Sequence, residues 1–391
     1  MPRAVIAAAA RTAIGKLAGQ FATLTAMDLG GAAIAEALRR AGAVPDTVDA
    51  VLMGQVLQAG QGQITARQAA VKAGVPMTVH ATTINKVCLS GLQALYLADL
   101  MVRAGEADLI VAGGMESMTN APYLLPGARA GYRLGDATVV DSMMLDGLFC
   151  AFDHCAMGLS TERHNAGRIS RARQDEFSAR SHQLAAKAQA SGALAEEIVD
   201  VAVPQRKGDP VAVHSDEGIR PDTTVESLAG LRPAFDKDGT VTAGNASQIS
   251  DGGAAIVVMS EARAAQLGVE PLGELVAYGQ VAGPDASLLS QPSNAIARAS
   301  TRAGLSPTGY DVYEINEAFA AVALASIDDL GLDEGRVNVN GGAIALGHPI
   351  GMSGARLAMT ALYELRRRGG GTAAVALCGG GGQGDAAILR A

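Results

Sequence analysis

Two cysteines and one histidine occupy sequence settings that suit nucleophilic catalysis. Cys88, in "NKVCLSG", directly precedes an apolar helical pattern, and His348 lies among glycines in "GGAIALGHPIGMSG". A thiol at the start of a helix is close to the positive end of the dipole and to free N–H groups, which favour the thiolate and lower the thiol pKa. From its position alone, Cys88 is explained equally well as a buried apolar residue. A histidine near such a cysteine completes a nucleophile and base pair.

An internal repeat predicts that these residues meet. "AIAEALRRAG" at 33–42 matches "AIARASTRAG" at 295–304, and the helix from Ser90, "SGLQALYLADLMVRAG", matches "SGARLAMTALYELRRRG" from Ser353. The same alignment makes Gly351 the counterpart of Cys88, so His348 lies at the corresponding place in the second copy. Two equivalent helix starts that face each other would therefore bring the histidine to the cysteine.

The repeat also predicts the architecture. Helical patterns alternate with short Val/Ile/Ala-rich runs, which is typical of α/β proteins with mainly parallel strands. We expect a layered fold of two duplicated mixed-sheet α/β halves around buried central helices, plus an inserted loop domain. The first half comprises residues 1–118 and 248–268, the insert 119–247, and the second half 269–391.

Composition excludes several classes of protein. A net charge of −8, with no long Lys/Arg-rich block, argues against nucleic acid as a partner. No apolar run approaches the roughly 20 residues that span a bilayer, so we expect no transmembrane helix and no membrane partner. Four cysteines are too few for a disulfide scaffold in 391 residues, which favours reduced thiols and the cytoplasm.

Two further stretches are open to misinterpretation. Gly379, Gly381 and Gly384 in "CGGGGQGD" match G-x-G-x-x-G, but the few residues that follow are too short for a dinucleotide-binding helix. Glycines after a strand can instead offer backbone N–H groups as an oxyanion hole, with Cys378 immediately before them. "FCAFDHC" has poor spacing for zinc ligands at Cys150, His154 and Cys155, so we expect no metal site.

Five segments in order resemble the signatures of the thiolase family, over essentially the whole chain: "NKVCLSG", "GNASQISDGGAA", "NEAF", "GGAIALGHPIGMSG" and "CGGGGQG". The resemblance implies two similar five-stranded α/β halves with a loop domain, assembled as dimers or tetramers. The insert, with "GYRLGDATVVDSMMLDGLFCAFD", is similar to that of tetrameric members that act on acetoacetyl-CoA, which implies a homotetramer.

The resemblance implies a mechanism with covalent acyl transfer. Cys88 would attack an acyl-CoA thioester while His348 takes its proton, and Cys378 would remove a proton from the α-carbon of acetyl-CoA. His348 with a water on Asn316 would form one oxyanion hole, and the N–H groups of Cys88 and Gly380 the other. The implied reaction is the reversible Claisen condensation of two acetyl-CoA to acetoacetyl-CoA and CoA.

The family pattern also implies a path for CoA, which enters as a substrate, with no permanently bound cofactor. Seven positions match its CoA-binding residues: Met157, Arg220, Ser227, Phe235, Ala243, Ser247 and Phe319. Ala156 departs from the short-chain pattern, which has a histidine there, and this departure leaves the acyl-chain length of the substrate open. The alternatives are a degradative 3-ketoacyl-CoA thiolase of broader chain length, a non-catalytic acyl-CoA-binding protein and a thiol redox protein, although the chain has no C-x-x-C motif.

Overall fold

The computed structural model describes residues 2–391 as two large mixed β-sheets with helices on and between them, together with three two-stranded sheets. The strands are β1 (Ala4–Thr12), β2 (Gly15–Lys16), β3 (Ala50–Gly54), β4 (His80–Ile84), β5 (Leu109–Ser117), β6 (Tyr123–Leu124), β7 (Val140–Asp141), β8 (Phe149–Cys150), β9 (Cys155–Ala156), β10 (Ile198–Val199), β11 (Val201–Val203), β12 (Val211–Val213), β13 (Ser250–Ser260), β14 (Glu274–Ala282), β15 (Val312–Ile315), β16 (Thr372–Gly379) and β17 (Gln383–Arg390). The helices are α1 (Ala26–Arg40), α2 (Thr65–Lys72), α3 (Ser90–Ala104), α4 (Met157–Asn165), α5 (Arg171–Ala190), α6 (Val225–Ala229), α7 (Glu261–Leu267), α8 (Gln291–Ala303), α9 (Ala320–Leu330), α10 (Ala343–Leu346) and α11 (Ser353–Arg367).

The first sheet has the strand order β10-β1-β13-β5-β3-β4, with β2 paired to β13. Strand β13 is antiparallel to both β1 and β5, whereas β3 is parallel to β5 and β4. Every residue of β1, β5 and β13 is buried. Such strands are covered on both faces, which explains why they read as nearly continuous apolar runs rather than as alternating patterns.

The second sheet repeats this arrangement with the order β14-β17-β16-β15. Strand β17 is antiparallel to β14 and β16, and β16 is parallel to β15. Thus β14, β17, β16 and β15 correspond in order and direction to β1, β13, β5 and β3. The predicted repeat is confirmed, since each pair of matched sequences occupies the same place in its half.

The second half differs from the implied five strands. The counterpart of β4 is reduced to one bridge between Val337 and Tyr313. Asn338, with a positive φ of 48°, then turns the chain away. Its side chain accepts a hydrogen bond from the N–H of Ile315 and donates one to the carbonyl of Ile315, both at 2.8 Å. The side chain of Asn338 therefore makes the two backbone hydrogen bonds to Ile315 that a longer fifth strand would have made.

Helices α3 and α11 cross in the layer between the sheets, and glycines make this crossing possible. A Cβ on Gly91 would lie 2.9 Å from the backbone nitrogen of Ala355 and from the carbonyl oxygen of Gly351. A Cβ on Gly354 would collide with the backbone of Leu92 in the same way. The two helix starts can approach so closely only because these positions have no side chain.

From the sequence we expect no apolar run of membrane-spanning length, but one segment meets that criterion. The segment Val87–Ala104 is long and apolar enough to cross a membrane by composition alone. In the structure its helix lies in the middle layer, with Leu92, Leu95 and Val102 fully buried in the core. Its apolar character is that of a helix packed between two sheets.

The segment between β5 and β13 is attached firmly to the first half. Strand β10 pairs in parallel with β1. The fully buried guanidinium of Arg11 contacts Glu197 at 2.8 Å and Asp216 at 2.7 Å, both from this segment. Buried charges need such partners, because an isolated one would lose its hydration without compensation. The division of the chain into domains at the positions given above stays a prediction.

Candidate active site

Cys88 lies two residues before α3, in a loop held by local hydrogen bonds. Ser90 Oγ accepts from the N–H of Lys86 at 2.8 Å and donates to the carbonyl of Val87 at 2.6 Å. Val87 has a φ of 50°, which is uncommon for a β-branched residue. Lys86 Nζ contacts both carboxylate oxygens of Asp385, at 2.7 and 2.8 Å, so the loop is tied to strand β17 of the other half.

The N–H of Cys88 remains available to a ligand. The hydrogen bonds that fix this loop use the N–H groups of Lys86, Val87, Leu89 and Ser90. They do not use the N–H of Cys88, which instead interacts with its own sulfur. Such a free donor beside a nucleophile is what an oxyanion hole requires.

The environment of the Cys88 thiol reverses one sequence expectation. Burial raises the pKa of Cys88 to about 12, its own N–H lowers it in part, and the buried Glu116 raises it further. The expectation that the helix start lowers the pKa of Cys88 is therefore wrong for this structure. Removing a thiolate from water destabilises it more than the nearby N–H groups stabilise it. Four apolar side chains enclose this thiol: Val56, Leu57, Met118 and Ile350. Cys88 therefore rests as a thiol and needs a base.

His348 follows Gly347, whose φ of 112° turns the chain sharply before the helix start of α11. His348 Nδ1 lies 2.5 Å from Ser353 Oγ, and that hydroxyl donates to the carbonyl of Pro349 at 2.8 Å. Because the hydroxyl proton is used in this way, Ser353 accepts from Nδ1–H, and Nε2 carries the lone pair. His348 thus presents its basic nitrogen to the cavity.

The contact with Asn316 and the burial of the ring determine the protonation state of the His348 imidazole. Asn316 Nδ2 lies 3.3 Å from His348 Nε2, while its buried Oδ1 has no hydrogen-bond partner in residues 2–391. Burial, with a smaller contribution from the cation of Arg356, lowers the pKa of His348 to about 4. The ring is therefore neutral near pH 7 and able to accept a proton.

Cys378 and Gly380 come from the end of β16 and the turn after it. Cys378 is fully buried, and burial raises its pKa, with the nearby Cys88 as a second cause. The side chain of Leu89 packs where a Cβ of Gly379 would lie, and that of Phe152 where a Cβ of Gly381 would lie. The glycine run thus lets the turn pack closely under neighbouring side chains.

A cavity of about 400 Å³, including its mouth, brings these elements together between the two halves. Its lining includes seven residues predicted from the sequence: Cys88, Met157, Ser247, Phe319, His348, Cys378 and Gly380. Asn316 reaches this group through His348. Five lining residues were not predicted: Gly147, Leu148, Leu288, Ala318 and Ile350. These are apolar or glycine residues without a chemical signal, although Ala318 lies inside "NEAF" and Ile350 inside "GHPIG".

The other four predicted CoA-binding residues lie outside this cavity. Phe235 packs edge-on against Phe319, with ring centroids 6.4 Å apart, so it adjoins the lining. Arg220, Ser227 and Ala243 are exposed. The hydroxyl of Ser227 has a structural contact, since it donates to the carbonyl of Thr224 at the start of α6.

The cysteines of "FCAFDHC" lie in a small hairpin. Cys150 pairs with Cys155 across β8 and β9, and both are buried free thiols. His154 lies in the exposed connecting turn with a φ of 51°. Within residues 2–391, no group of three His, Cys, Asp or Glu side chains is arranged to hold a metal ion.

Comparison with known proteins identifies the fold and family. The N-terminal domain model of thiolases matches residues 4–262, and the C-terminal domain model matches residues 269–391. The chain belongs to the thiolase family. Among solved structures, the acetyl-CoA acetyltransferase of Bacillus anthracis superposes on this thiolase with a TM-score of 0.97 at 40% identity, covering 100% of this chain and 99% of that one.

Curated relatives of this thiolase are similar over their full length. A probable acetyl-CoA acetyltransferase of Mycolicibacterium smegmatis is 58% identical over 99% of this chain and 100% of its own. The acetyl-CoA acetyltransferase of Cupriavidus necator is 51% identical over 100% of both chains. The family resemblance and the layered fold predicted from the sequence are thereby confirmed.

Proposed function

We propose that this thiolase is an acetyl-CoA C-acetyltransferase, which interconverts two acetyl-CoA with acetoacetyl-CoA and CoA through an acyl-cysteine. The observation that carries the proposal is the convergence of Cys88, His348 and Cys378 on one apolar cavity between the halves. The names of the full-length relatives support the same acyltransferase reaction.

In the cleavage direction, His348 Nε2 takes the proton of Cys88 as the sulfur attacks the 3-keto carbon of acetoacetyl-CoA. The bond between C2 and C3 then breaks, and its electron pair stays on C2. Cys378 gives that carbon its thiol proton, so acetyl-CoA leaves and the acetyl group remains on Cys88. The raised pKa of Cys378 suits this role, because a buried thiol is protonated at rest.

Transfer to CoA restores both groups. The proton on His348 returns to the Cys378 thiolate, and the neutral imidazole then takes the proton of the CoA thiol. The CoA sulfur attacks the acetyl carbonyl, the bond to Cys88 breaks, and Cys88 recovers its proton from His348. The condensation of two acetyl-CoA follows the same steps in reverse.

Both half-reactions develop negative charge on a carbonyl oxygen. We assign one oxyanion hole to the N–H groups of Cys88 and Gly380, and the other to His348 with a water held by Asn316. The unpartnered Asn316 Oδ1 supports the second assignment, since a buried amide oxygen without a donor can accept from a water. Preorganised donors of this kind stabilise charge in a dry cavity far more than water does.

The path of CoA is proposed from the cavity outward. Met157, Ser247 and Phe319 line the chamber and would contact pantetheine near the thioester, and Phe235 adjoins them. Exposed positions would take the more distant parts of CoA: Ala243 along pantetheine, with Arg220 and Ser227 at its nucleotide end. CoA and acyl-CoA are substrates here, with no permanently bound cofactor proposed.

We also propose a cytoplasmic homotetramer. Several large apolar side chains in the segment from β6 to β8 are exposed in the single chain: Tyr123, Leu125, Leu134, Val139, Leu145 and Phe149. Exposed apolar side chains concentrated in one segment are typical of interaction surfaces.

One assay panel tests the function. Purified protein is given CoA with acetoacetyl-CoA or with 3-ketoacyl-CoA of increasing chain length, and release of acetyl-CoA is followed. We expect acetoacetyl-CoA to give the highest kcat/KM. Higher kcat/KM on long chains would favour the degradative alternative, and no cleavage of any of them would refute the acyltransferase proposal.

A further inference from the structure

Glu116 is a buried carboxylate next to the cavity that the mechanism above does not use. It is the penultimate residue of β5, pairs with Gly252 of β13, and is fully buried. A carboxylate in such a place must be satisfied by hydrogen bonds or remain protonated.

Three backbone N–H groups donate to this carboxylate, and they come from both halves. Val56 and Leu57, in the loop after β3, donate at 3.0 and 3.1 Å. Gly351, in the turn that follows His348, donates at 2.9 Å. Val56 and Leu57 also belong to the apolar cluster around Cys88. One side chain therefore connects the loop beside the nucleophile to the turn beside the base.

The carbonyl group of Gly351 is equally constrained. A Cβ on Gly54 would lie 2.7 Å from the carbonyl oxygen of Gly351, and a Cβ on Gly114 would collide with it. Gly351 thus fits between β3 and β5, with its N–H on Glu116 and its carbonyl oxygen against Gly54 and Gly114.

No cation compensates the charge of Glu116. None of the Lys or Arg side chains of residues 2–391 forms an ion pair with it, and the charged neighbour on β13 is Asp251. Burial raises the pKa of Glu116 to about 7, against the three N–H groups, which lower it. Its negative charge also acts on Cys88, the titratable group before α3.

We infer that Glu116 is a positioning residue for the pair Cys88 and His348. Its carboxylate holds the Gly351 turn, and with it His348, against the loop next to the nucleophile. Its charge adds to burial in keeping the proton on Cys88 Sγ until His348 Nε2 removes it. This inference rests on the proposed function. Within that function, Glu116 sets the distance between the nucleophile and the base.

The test compares turnover with the reactivity of Cys88 in Glu116→Gln at pH 8. We expect kcat for acetoacetyl-CoA cleavage to fall at least about tenfold with KM changed less than about twofold, since the amide is uncharged and its nitrogen cannot accept from the N–H groups that one carboxylate oxygen now serves. Alkylation of Cys88 by iodoacetamide, read by peptide mass spectrometry, should become about threefold faster or more, because a nearby negative charge is gone. A residue that only supports the fold would not speed alkylation while slowing turnover.

The variant Glu116→Asp separates the effect of side-chain length from the effect of charge. The shorter carboxylate keeps the charge but cannot meet all three N–H groups, so we expect a lower kcat with alkylation within about twofold of wild type. The matched control is Asp99→Asn, which removes a carboxylate paired with Arg103 farther along α3 and should leave both readouts unchanged.

Wild-type kcat and alkylation rate in Glu116→Gln would overturn the inference. If thermal unfolding shows that this variant does not fold, wild-type kcat in Glu116→Asp overturns it instead. Alkylation needs no turnover, so a wild type that cleaves no acetoacetyl-CoA would refute the proposed function separately.

Discussion

The helix starts of α3 and α11 share a backbone plan but carry different chemistry. In both, the first residue is a serine whose hydroxyl donates to a carbonyl just before the helix, that of Val87 for Ser90 and that of Pro349 for Ser353. Ser90 then accepts from a backbone N–H, whereas Ser353 accepts from the imidazole of His348. The same serine thus shapes the nucleophile loop in one half and orients the base in the other.

The difference shows how a duplicated unit can build an asymmetric site. Gly351 stands where the first half has Cys88, and its missing side chain lets the second start pack against the ends of β3 and β5. The first start encloses its thiol in apolar side chains, while the second surrounds its histidine with polar partners. Neither half alone has both the nucleophile and the base.

Removing the nucleophile should give the largest effect. We expect Cys88→Ser to lower kcat by at least about a thousandfold, because a serine hydroxyl is a far weaker nucleophile at this pH. Intact-mass spectrometry after mixing with acetyl-CoA should show an acetylated wild type and an unmodified variant. Cys150→Ser, at a buried cysteine outside the cavity lining, is the control and should acylate normally. Full activity in Cys88→Ser would show that the start of α3 does not carry the nucleophile.

Removing the base comes next. His348→Gln should lower kcat by about a hundred- to ten-thousandfold, the usual range for a general base. Stopped-flow measurement of the acylation step would show whether the loss lies there. His80→Gln changes an exposed histidine on β4, outside the cavity lining, and should leave acylation intact.

The depressed pKa of His348 predicts a pH dependence of stability. With a pKa of about 4 against an ordinary 6.5, the neutral ring contributes stability above pH 6.5 that is lost as the pH falls towards 4. Between pH 7 and pH 4, wild type should lose up to about 3 kcal/mol of unfolding free energy relative to His348→Gln. Denaturant unfolding at both pH values measures this, and a constant difference would be evidence against a buried neutral ring.

Filling the crossing of the two starts should destabilise the fold. Gly91→Ala places a Cβ against backbone atoms of α11, so we expect a loss of about 1–3 kcal/mol in the free energy of unfolding. Gly230→Ala, where a Cβ would lie 3.8 Å from its nearest neighbour, is the control and should change little. Equal stability of the two variants would mean that the starts are not in close contact.

Ser353→Ala should give the smallest change. Without the acceptor for Nδ1–H, the imidazole loses its fixed orientation, and we expect kcat to fall about tenfold with KM unchanged. Steady-state kinetics measures both. Ser90→Ala serves as the counterpart in the first half, and an unaltered kcat in Ser353→Ala would remove the orienting role assigned to this hydroxyl.

The sequence predicted what depends on residue type and order. The repeat specified the two equivalent helix starts, and the glycine motifs marked the places where backbones approach. Cys88, His348 and Cys378 were identified because reactive side chains are few and stand in distinctive surroundings.

Other features depend on distances between segments that are remote in the chain. The direction of the Cys88 pKa shift follows from its burial under Ile350, which no local pattern reveals. Glu116 has no motif of its own, and its importance appears only when donors from both halves are seen around it. Asn338, whose side chain bonds the backbone of Ile315 in place of a strand, likewise resembles an ordinary turn residue in the sequence.

The position of Gly351 between β3 and β5 also has a consequence for folding. Because part of each half fills the interior of the other, neither copy of the repeat retains a complete core when separated. We expect the chain to unfold as one cooperative unit rather than half by half. By the same argument, a single unit of this kind would need a second identical chain to complete its core.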